Sequence, residues 1–174
     1  MSLSLYDASI PGYVLMLRNL ATFLDKAETY AAEQGLPLST FLEAGLGHGM
    51  AALPRQIQFA SDAAKSGAAR LAGVEPPSMP DTETTFLELK ERIAKTLAFI
   101  RSADKKAIDA SADRTITLPL GPSKKGEMKG ADYLNHFVLP NFYFHAATAY
   151  GLLRHAGLEI GKQDFLAGIP LKVL

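Results

Sequence analysis

Three of the chain's four histidines lie in one aromatic-rich stretch near the C-terminus, residues 134–157. They are His136, His145 and His155. Imidazole is the side chain whose ordinary pKa lies nearest neutral pH, and it is also the commonest metal ligand in proteins. The stretch therefore leaves three interpretations: a metal site, a small-molecule pocket, or a polar group that is satisfied inside the core.

His145 is the strongest candidate for a catalytic or binding residue, because its ordinary pKa near about 6.5 suits a general base. Asn141 precedes it by four positions, so the two share one face of a helix. A buried polar group without a partner costs roughly 1–3 kcal/mol, so such a face needs partners. We predict a ligand pocket lined by Asn141, Phe142, Tyr143 and His145. A core histidine bonded within the fold is the structural alternative.

Polar partners for this pocket are expected from a second helix, residues 50–71. Gln58 and Asp62 lie four positions apart there, and we predict that they face the pocket. Gln56 is a further polar residue of the same helix. Asp62 also precedes Lys65 by three positions, so a surface ion pair between them is the alternative.

A metal site in this region would have to recruit His136. It precedes His145 by nine residues, which is about 180° around an ideal helix at roughly 100° per residue. Pro140 clashes with the carbonyl of residue 136 and should kink the helix, and a large kink would turn His136 towards the pocket. The weak candidate metal ligands are therefore His145, Asp62 and His136. A capping or packing role is the alternative for His136.

Composition excludes several other classes of function. Among 174 residues, 18 basic and 18 acidic side chains cancel, so no basic excess exists to bind nucleic acid. The absence of cysteine excludes disulfides, thiolate metal sites and cysteine nucleophiles. No apolar run approaches the ~20 residues that cross a bilayer, and the first residues lack the pattern of a signal peptide. We expect a cytoplasmic protein without a membrane partner.

Apolar residues recur with helical spacing in four segments, which predict an all-α four-helix bundle in a single domain, residues 1–174. The predicted helices run, in order, from the N-cap Ser9 to Gly35, over residues 50–71, from the N-cap Asp81 through Ile100, and from Asp132 to His155. Thr40 and Glu43 predict a capping box for a short additional helix. The tail from Leu158 is expected to pack over one end of the bundle.

Residues 115–118 alternate with strand spacing, and the sequence GPSKKG supplies a turn. A small β-hairpin is therefore expected between the third and fourth helices. The small residues Ala64, Ala68 and Ala147 would allow close packing of helix faces between two copies of the chain. A homodimer is our hypothesis for the oligomeric state.

The segments HFVLPNFYFHAATAYGLLRHAG, QIQFASDAAKSGAARLAGVEPPS, DRTITLPL and GKQDFLAG together resemble a bacterial family known as a domain of unknown function. That family looks like an offshoot of the DinB/YfiT-like superfamily of four-helix bundles. The resemblance implies a site for a divalent metal, commonly zinc or nickel, held by three histidines. One comes from the second helix, and two form an H-x-x-x-H pair on the last helix.

Only part of this ligand set is present here. His145 matches the second histidine of the pair, but Asn141 stands at the position four before it, and the second helix has no histidine. Gln58 or Asp62 would lie nearest that third position. We therefore expect a degenerate site with no tightly bound metal, and at most weak binding of zinc or nickel.

Two functions follow from the sequence and the resemblance. The first is binding of a small molecule in a pocket between the second and fourth helices. The second, which the resemblance implies, is a transferase or isomerase assisted by a divalent metal and using an external low-molecular-weight thiol. Whether the chain is an enzyme stays open at this point.

Overall fold

The structure is a computed structural model, and it describes residues 3–119, 121 and 123–172. Four long helices form a bundle: α1 Leu5–Gln34, α3 Leu53–Ala72, α4 Phe86–Arg101 and α7 Leu139–His155. Short helices lie between and after them: α2 Ser39–Leu42, α5 Lys105–Asp109, α6 Gly130–Asp132 and α8 Lys162–Phe165. The strands β1 Thr115–Pro119 and β2 Lys125–Lys129 pair between α4 and α7. The predicted four-helix bundle with a hairpin insertion is confirmed.

The hairpin is antiparallel, with Thr115 opposite Lys129 and Pro119 opposite Lys125. The alternating pattern predicted for residues 115–118 is observed, because Ile116 and Leu118 are buried against the bundle. The predicted turn includes residue 122, which lies outside the described residues.

Several helix ends differ from the sequence-based prediction. Helix α1 begins earlier, with Ser4 as its N-cap, while the Ser9 hydroxyl donates to the carbonyl of Leu5 at 2.6 Å. Helix α4 is capped by a box between Thr85 and Glu88 rather than by Asp81. Asp81 instead pairs with Arg55 and Arg92. The predicted capping box at Thr40 does not form, because α2 begins at Ser39, two residues earlier than a helix capped by Thr40 would, and Leu38 at its N-cap has no side chain that could accept a hydrogen bond.

Helix α6, a π-helical segment Tyr133–Val138 and helix α7 follow one another without a break. The irregularity predicted at Pro140 takes the form of this π-helix, in which the Leu139 N–H donates to the carbonyl of Leu134. The wider π turn accommodates a residue that lacks an N–H and would crowd the preceding α turn. It also changes which side chains share a face before and after Pro140.

Helix α3 lies in the middle of the bundle and is buried along most of its length. Ala64 and Ala68 are fully buried within the single chain, so they cannot form the predicted contact between two copies. A Cβ atom at Gly67 would lie 2.5 Å from Cγ1 of Val138, which is closer than real atoms approach. Glycine is therefore required for α3 to pack this closely against the π-helical segment.

The C-terminal segment packs along α1 rather than over one end of the bundle. The Asn19 side-chain amide, midway along α1, donates to the carbonyls of Phe165 and Ala167 at 3.0 Å each. Lys26 pairs with Asp164 at 2.5 Å. Within the described ranges, no helix combines the length and the apolar character that a membrane crossing requires.

Candidate ligand-binding cleft

A cleft of about 160 Å³ lies between α3 and the column formed by the π-helical segment and α7. The lining residues on α3 follow one another at spacings of one, three and four positions, so they lie on one face of that helix. The lining residues are Phe59, Asp62, Ala63, Ser66 and Arg70 of α3, and Tyr133, Phe137, Val138, Asn141 and His145 of the opposite wall.

Three of the predicted site residues meet in this cleft: Asn141, His145 and Asp62. Two others point elsewhere. Phe142 is fully buried against Tyr13 of α1, with ring centroids 4.8 Å apart. The Tyr143 hydroxyl also reaches α1, where it lies 2.8 Å from the Cβ position of Gly12. Phe142 is about 100° and Tyr143 about 200° round the helix from Asn141, so both side chains turn from the cleft towards α1.

Gln58 also lies away from the cleft, although the sequence placed it there. Its side-chain oxygen accepts from Arg55 at 2.7 Å, and its amide donates to Glu83 at 2.9 Å. Gln56 is the glutamine that reaches the histidine: its Oε1 lies 2.8 Å from Nδ1 of His145. Both glutamines lie on the same helix in the sequence. The rotation of α3 about its axis determines which of them reaches His145.

The Gln56 bond determines the tautomer of His145. The amide nitrogen of Gln56 donates to the backbone carbonyl of Ala51 at 2.9 Å, and a carbonyl can only accept. Oε1 of Gln56 therefore faces the imidazole as an acceptor, so Nδ1 of His145 carries the proton. Nε2 of the neutral ring then holds a lone pair, and it has no partner among the described residues.

Aromatic rings surround this imidazole. Phe59 lies 4.8 Å from its centroid, and Phe144 packs edge-on at 5.1 Å. Burial lowers the pKa of His145 below its ordinary value, because the charged form loses hydration. His145 is therefore neutral at pH 7, and Nε2 can accept a hydrogen bond or a proton.

Asp62 lies on the cleft wall but is already paired. Its Oδ1 is 2.8 Å from the Arg92 guanidinium and 2.9 Å from the Lys65 ammonium. The predicted Asp62–Lys65 pair therefore exists, but Lys65 is only 6% exposed in its side chain, so it is not a surface pair. Two cations thus share the charge of the one carboxylate at the cleft.

The opposite end of the cleft carries Arg70 and Tyr133, which the sequence did not single out. The Arg70 guanidinium donates to the Tyr133 hydroxyl at 3.1 Å, and Tyr133 stacks on Phe137 with centroids 5.8 Å apart. Arg70 could have been found from its spacing to Asp62 and Ser66 on α3. Tyr133 could not, because a regular helix would turn it about 140° away from Val138.

Comparison with known proteins agrees with this architecture. Residues 5–166 match the family described as "Domain of unknown function (DUF1993)". The chain belongs to the DUF1993 family. It is also similar to the crystal structure of a DinB family member protein from Shewanella denitrificans. The two are 37% identical with a TM-score of 0.90, over 98% of this chain and 96% of that chain.

These matches confirm the predicted resemblance and the DinB-like fold of the DUF1993 chain. No match was found among curated proteins. The remaining histidines lie outside the cleft of this DUF1993 chain: the His136 side chain is 71% exposed, and its Nε2 lies 3.8 Å from Asp132. His48 and His155 are exposed as well. In the part of the chain that the structure describes, no three histidine, aspartate or glutamate side chains converge as metal ligands do.

Proposed function

We propose that this DUF1993 chain binds a small organic molecule in the cleft between α3 and α7. The observation that carries the proposal is the chain of bonds from Ala51 through Gln56 to His145. A histidine that served only the core would have both nitrogens bonded within the fold. Here Nδ1 is held in a defined tautomer, while Nε2 has no partner among the residues that the structure describes and is available to a ligand in the cleft.

The cleft chemistry indicates how such a molecule is held. Nε2 of His145 accepts an O–H or N–H of the ligand, and the Asn141 amide supplies both a donor and an acceptor. Phe59, Phe137 and Val138 give apolar walls. At about 160 Å³ the cleft is smaller than the roughly 300–1,000 Å³ of drug-sized pockets, so the ligand is of amino-acid size.

The cleft residues do not fit a tightly bound zinc or nickel ion. A stable site needs three protein ligands, usually imidazole or free carboxylate. The cleft offers one imidazole, one amide and one carboxylate, and Asp62 is already neutralised by Arg92 and Lys65. Elemental analysis of untagged protein should find far less than one metal per chain. One equivalent that is lost in His145→Ala would contradict this.

An external-thiol transferase or isomerase is the second candidate function. The unprotonated Nε2 of His145 favours it, because a neutral imidazole can take the proton of a thiol whose pKa is about 8.5. The thiol would have to come from outside, since the chain has no cysteine. The metal that assists this chemistry in the resembling superfamily has no fitting ligand set here.

A thermal-shift screen distinguishes the two functions. Small metabolites, low-molecular-weight thiols and divalent metals are added to the wild type, to His145→Ala and to the exposed control His155→Ala. A metabolite that stabilises the wild type and the control, but not His145→Ala, supports the binding function. Stabilisation only by a thiol together with a metal, again lost in His145→Ala, would replace it with the transferase.

We also propose that the chain forms a homodimer. Of the three small residues considered for its interface, Ala147 is exposed on α7, three positions after the exposed Phe144. A charged residue on this face should block packing between copies. Light scattering is expected to give twice the chain mass for the wild type and the chain mass for Ala147→Glu. A monomeric wild type would refute the dimer.

A further inference from the structure

Among the described residues, Arg70 at one end of the cleft is a cation without a counter-charge. Within residues 3–119, 121 and 123–172, no carboxylate oxygen lies within the 4.0 Å of a salt bridge to its guanidinium. The charges at the Asp62 end are balanced, because three cations pair there with three carboxylates. That network consists of Arg55, Lys65 and Arg92 with Asp62, Asp81 and Glu83. The charge of Arg70 is therefore in excess at this cleft.

Tyr133 supplies an unused donor beside that cation. Its side chain is 1% exposed, and its hydroxyl oxygen accepts from Arg70 at 3.1 Å. The hydroxyl proton itself has no acceptor among the residues that the structure describes. A buried donor without an acceptor is costly, and an anion between Arg70 and Tyr133 would satisfy both groups. Burial raises the pKa of Tyr133, so the hydroxyl keeps its proton.

The C-terminal end of α3 would ordinarily repel an anion, because the helix dipole is negative there. Arg114 removes this objection. Its guanidinium donates to the backbone carbonyls of Arg70, at 3.0 Å, and of Leu71. The exposed carbonyls that make the helix end negative are thus already bonded to a positive charge.

We infer that Arg70 and Tyr133 form a carboxylate subsite, so the ligand of the cleft is a small carboxylic acid with an apolar body. This inference rests on the proposed binding function of the same cleft. The planar guanidinium matches the two oxygens of a carboxylate, and the Tyr133 hydroxyl adds a third bond. The apolar body lies along Phe137 and Val138, towards the His145 end.

The test compares benzoate with benzamide, which have the same ring and nearly the same size but differ in charge. Binding to the full chain is followed by amide-proton NMR and calorimetry. Benzoate should bind at least about tenfold more tightly, because a charged hydrogen bond contributes roughly 1.5–3 kcal/mol. Arg70→Met should abolish the preference and Tyr133→Phe should reduce it. Arg18→Met removes an exposed arginine of α1 and should change nothing.

Each other outcome has a defined meaning. If both probes bind equally and His145→Ala weakens both, the carboxylate subsite is refuted while the proposed function stands. If neither probe binds at millimolar concentration, the inference is also refuted. Displacement of benzoate by phosphate at equal concentration would show an unselective anion site and overturn the carboxylate class. Should Arg70→Met lose its native NMR spectrum, Tyr133→Phe and Arg70→Lys decide. The inference expects the benzoate preference to fall in both variants, because each removes a hydrogen bond to the carboxylate, and an unchanged preference in both would refute it.

Discussion

Two polar clusters lie along α3, and they differ in how completely their groups are bonded. One is the ion-pair network around Arg92, which ties the loop of residues 78–85 to α3 and α4. The other is the cleft around His145. Both are partly buried, and both contain a side chain that can carry a positive charge. In the first, the charges find counter-charges within the chain; in the second, His145, Arg70 and Tyr133 keep unused bonding capacity.

The Arg92 network is nearly saturated. One guanidinium nitrogen donates to the carbonyl of Pro80 and to Glu83, and the other pairs with Asp62 and Asp81 at 2.8 and 2.9 Å. Only Nε of Arg92 lacks a partner in the described part of the chain. A buried charge that is this fully paired serves the fold, because nothing is left over to bind a ligand. The adjoining cavity of about 230 Å³ is therefore a weaker candidate site than the smaller cleft.

The largest effect that this comparison predicts is a loss of folding stability when the Arg92 network is broken. Arg92→Met leaves Asp62, Asp81 and Glu83 without their shared cation. We expect the free energy of unfolding, measured in urea, to fall by about 3 kcal/mol. This value is the lower end for breaking a buried ion pair, because the three carboxylates are partly hydrated. The exposed control Arg18→Met should change it by less than about 0.5 kcal/mol. Equal effects of the two variants would show that the network does not hold the fold together.

The second prediction concerns the close contact between Gly67 and Val138, a residue that lines the cleft. Gly67→Ala gains helix propensity but drives a methyl group into Val138. Overpacking of this kind costs about 1–3 kcal/mol, so the variant should be less stable in urea and should bind cleft ligands more weakly. Gly151→Ala is the matched control on α7, where no described atom outside the neighbouring helix backbone lies within 4 Å of the new methyl group, and it should gain up to about 1 kcal/mol. If Gly67→Ala were stabilising too, the close approach would carry no constraint.

The sequence predicted what depends on local spacing. The helices and the hairpin follow from apolar periodicity, and Asn141 was correctly placed beside His145 because both lie after Pro140 on a regular helix. The errors arise where distant contacts decide. Gln56 rather than Gln58 faces the histidine because α3 is rotated by its packing on both sides. The anion-binding potential of Tyr133 was invisible, since the π-helical turn that aligns it with the cleft has no signal beyond the proline.

The third prediction is a pH dependence that should separate the two clusters. The pKa of His145 is lower in the folded chain than in the unfolded one, where it is about 6.5. The unfolded state therefore binds the proton first as the pH falls, and stability decreases from about pH 6.5 down through the folded pKa. His145→Gln should show a shallower loss of unfolding free energy between about pH 7 and 5 than the wild type. The exposed control His155→Gln should follow the wild type. If His145→Gln kept the wild-type slope, a group other than His145 would be responsible for it.

The smallest expected effect, and the most direct probe of the unsaturated cluster, is a change of tautomer. In the wild type, Gln56 accepts from Nδ1 of His145, so long-range proton–nitrogen NMR should show a single neutral form with the proton on Nδ1. Gln56→Leu removes this acceptor and leaves the Ala51 carbonyl unpaired, at a cost of about 1 kcal/mol. The imidazole should then populate both tautomers. In a fraction of the molecules Nε2 carries the proton and can no longer accept a hydrogen bond from a ligand in the cleft. Ligand affinity should fall in proportion to that fraction, which is a modest loss. His145→Ala removes the acceptor altogether and should cost more. A wild type in which Nε2 already carries the proton would reverse the assignment, because the cleft would then present a donor and select ligands with an acceptor at that end.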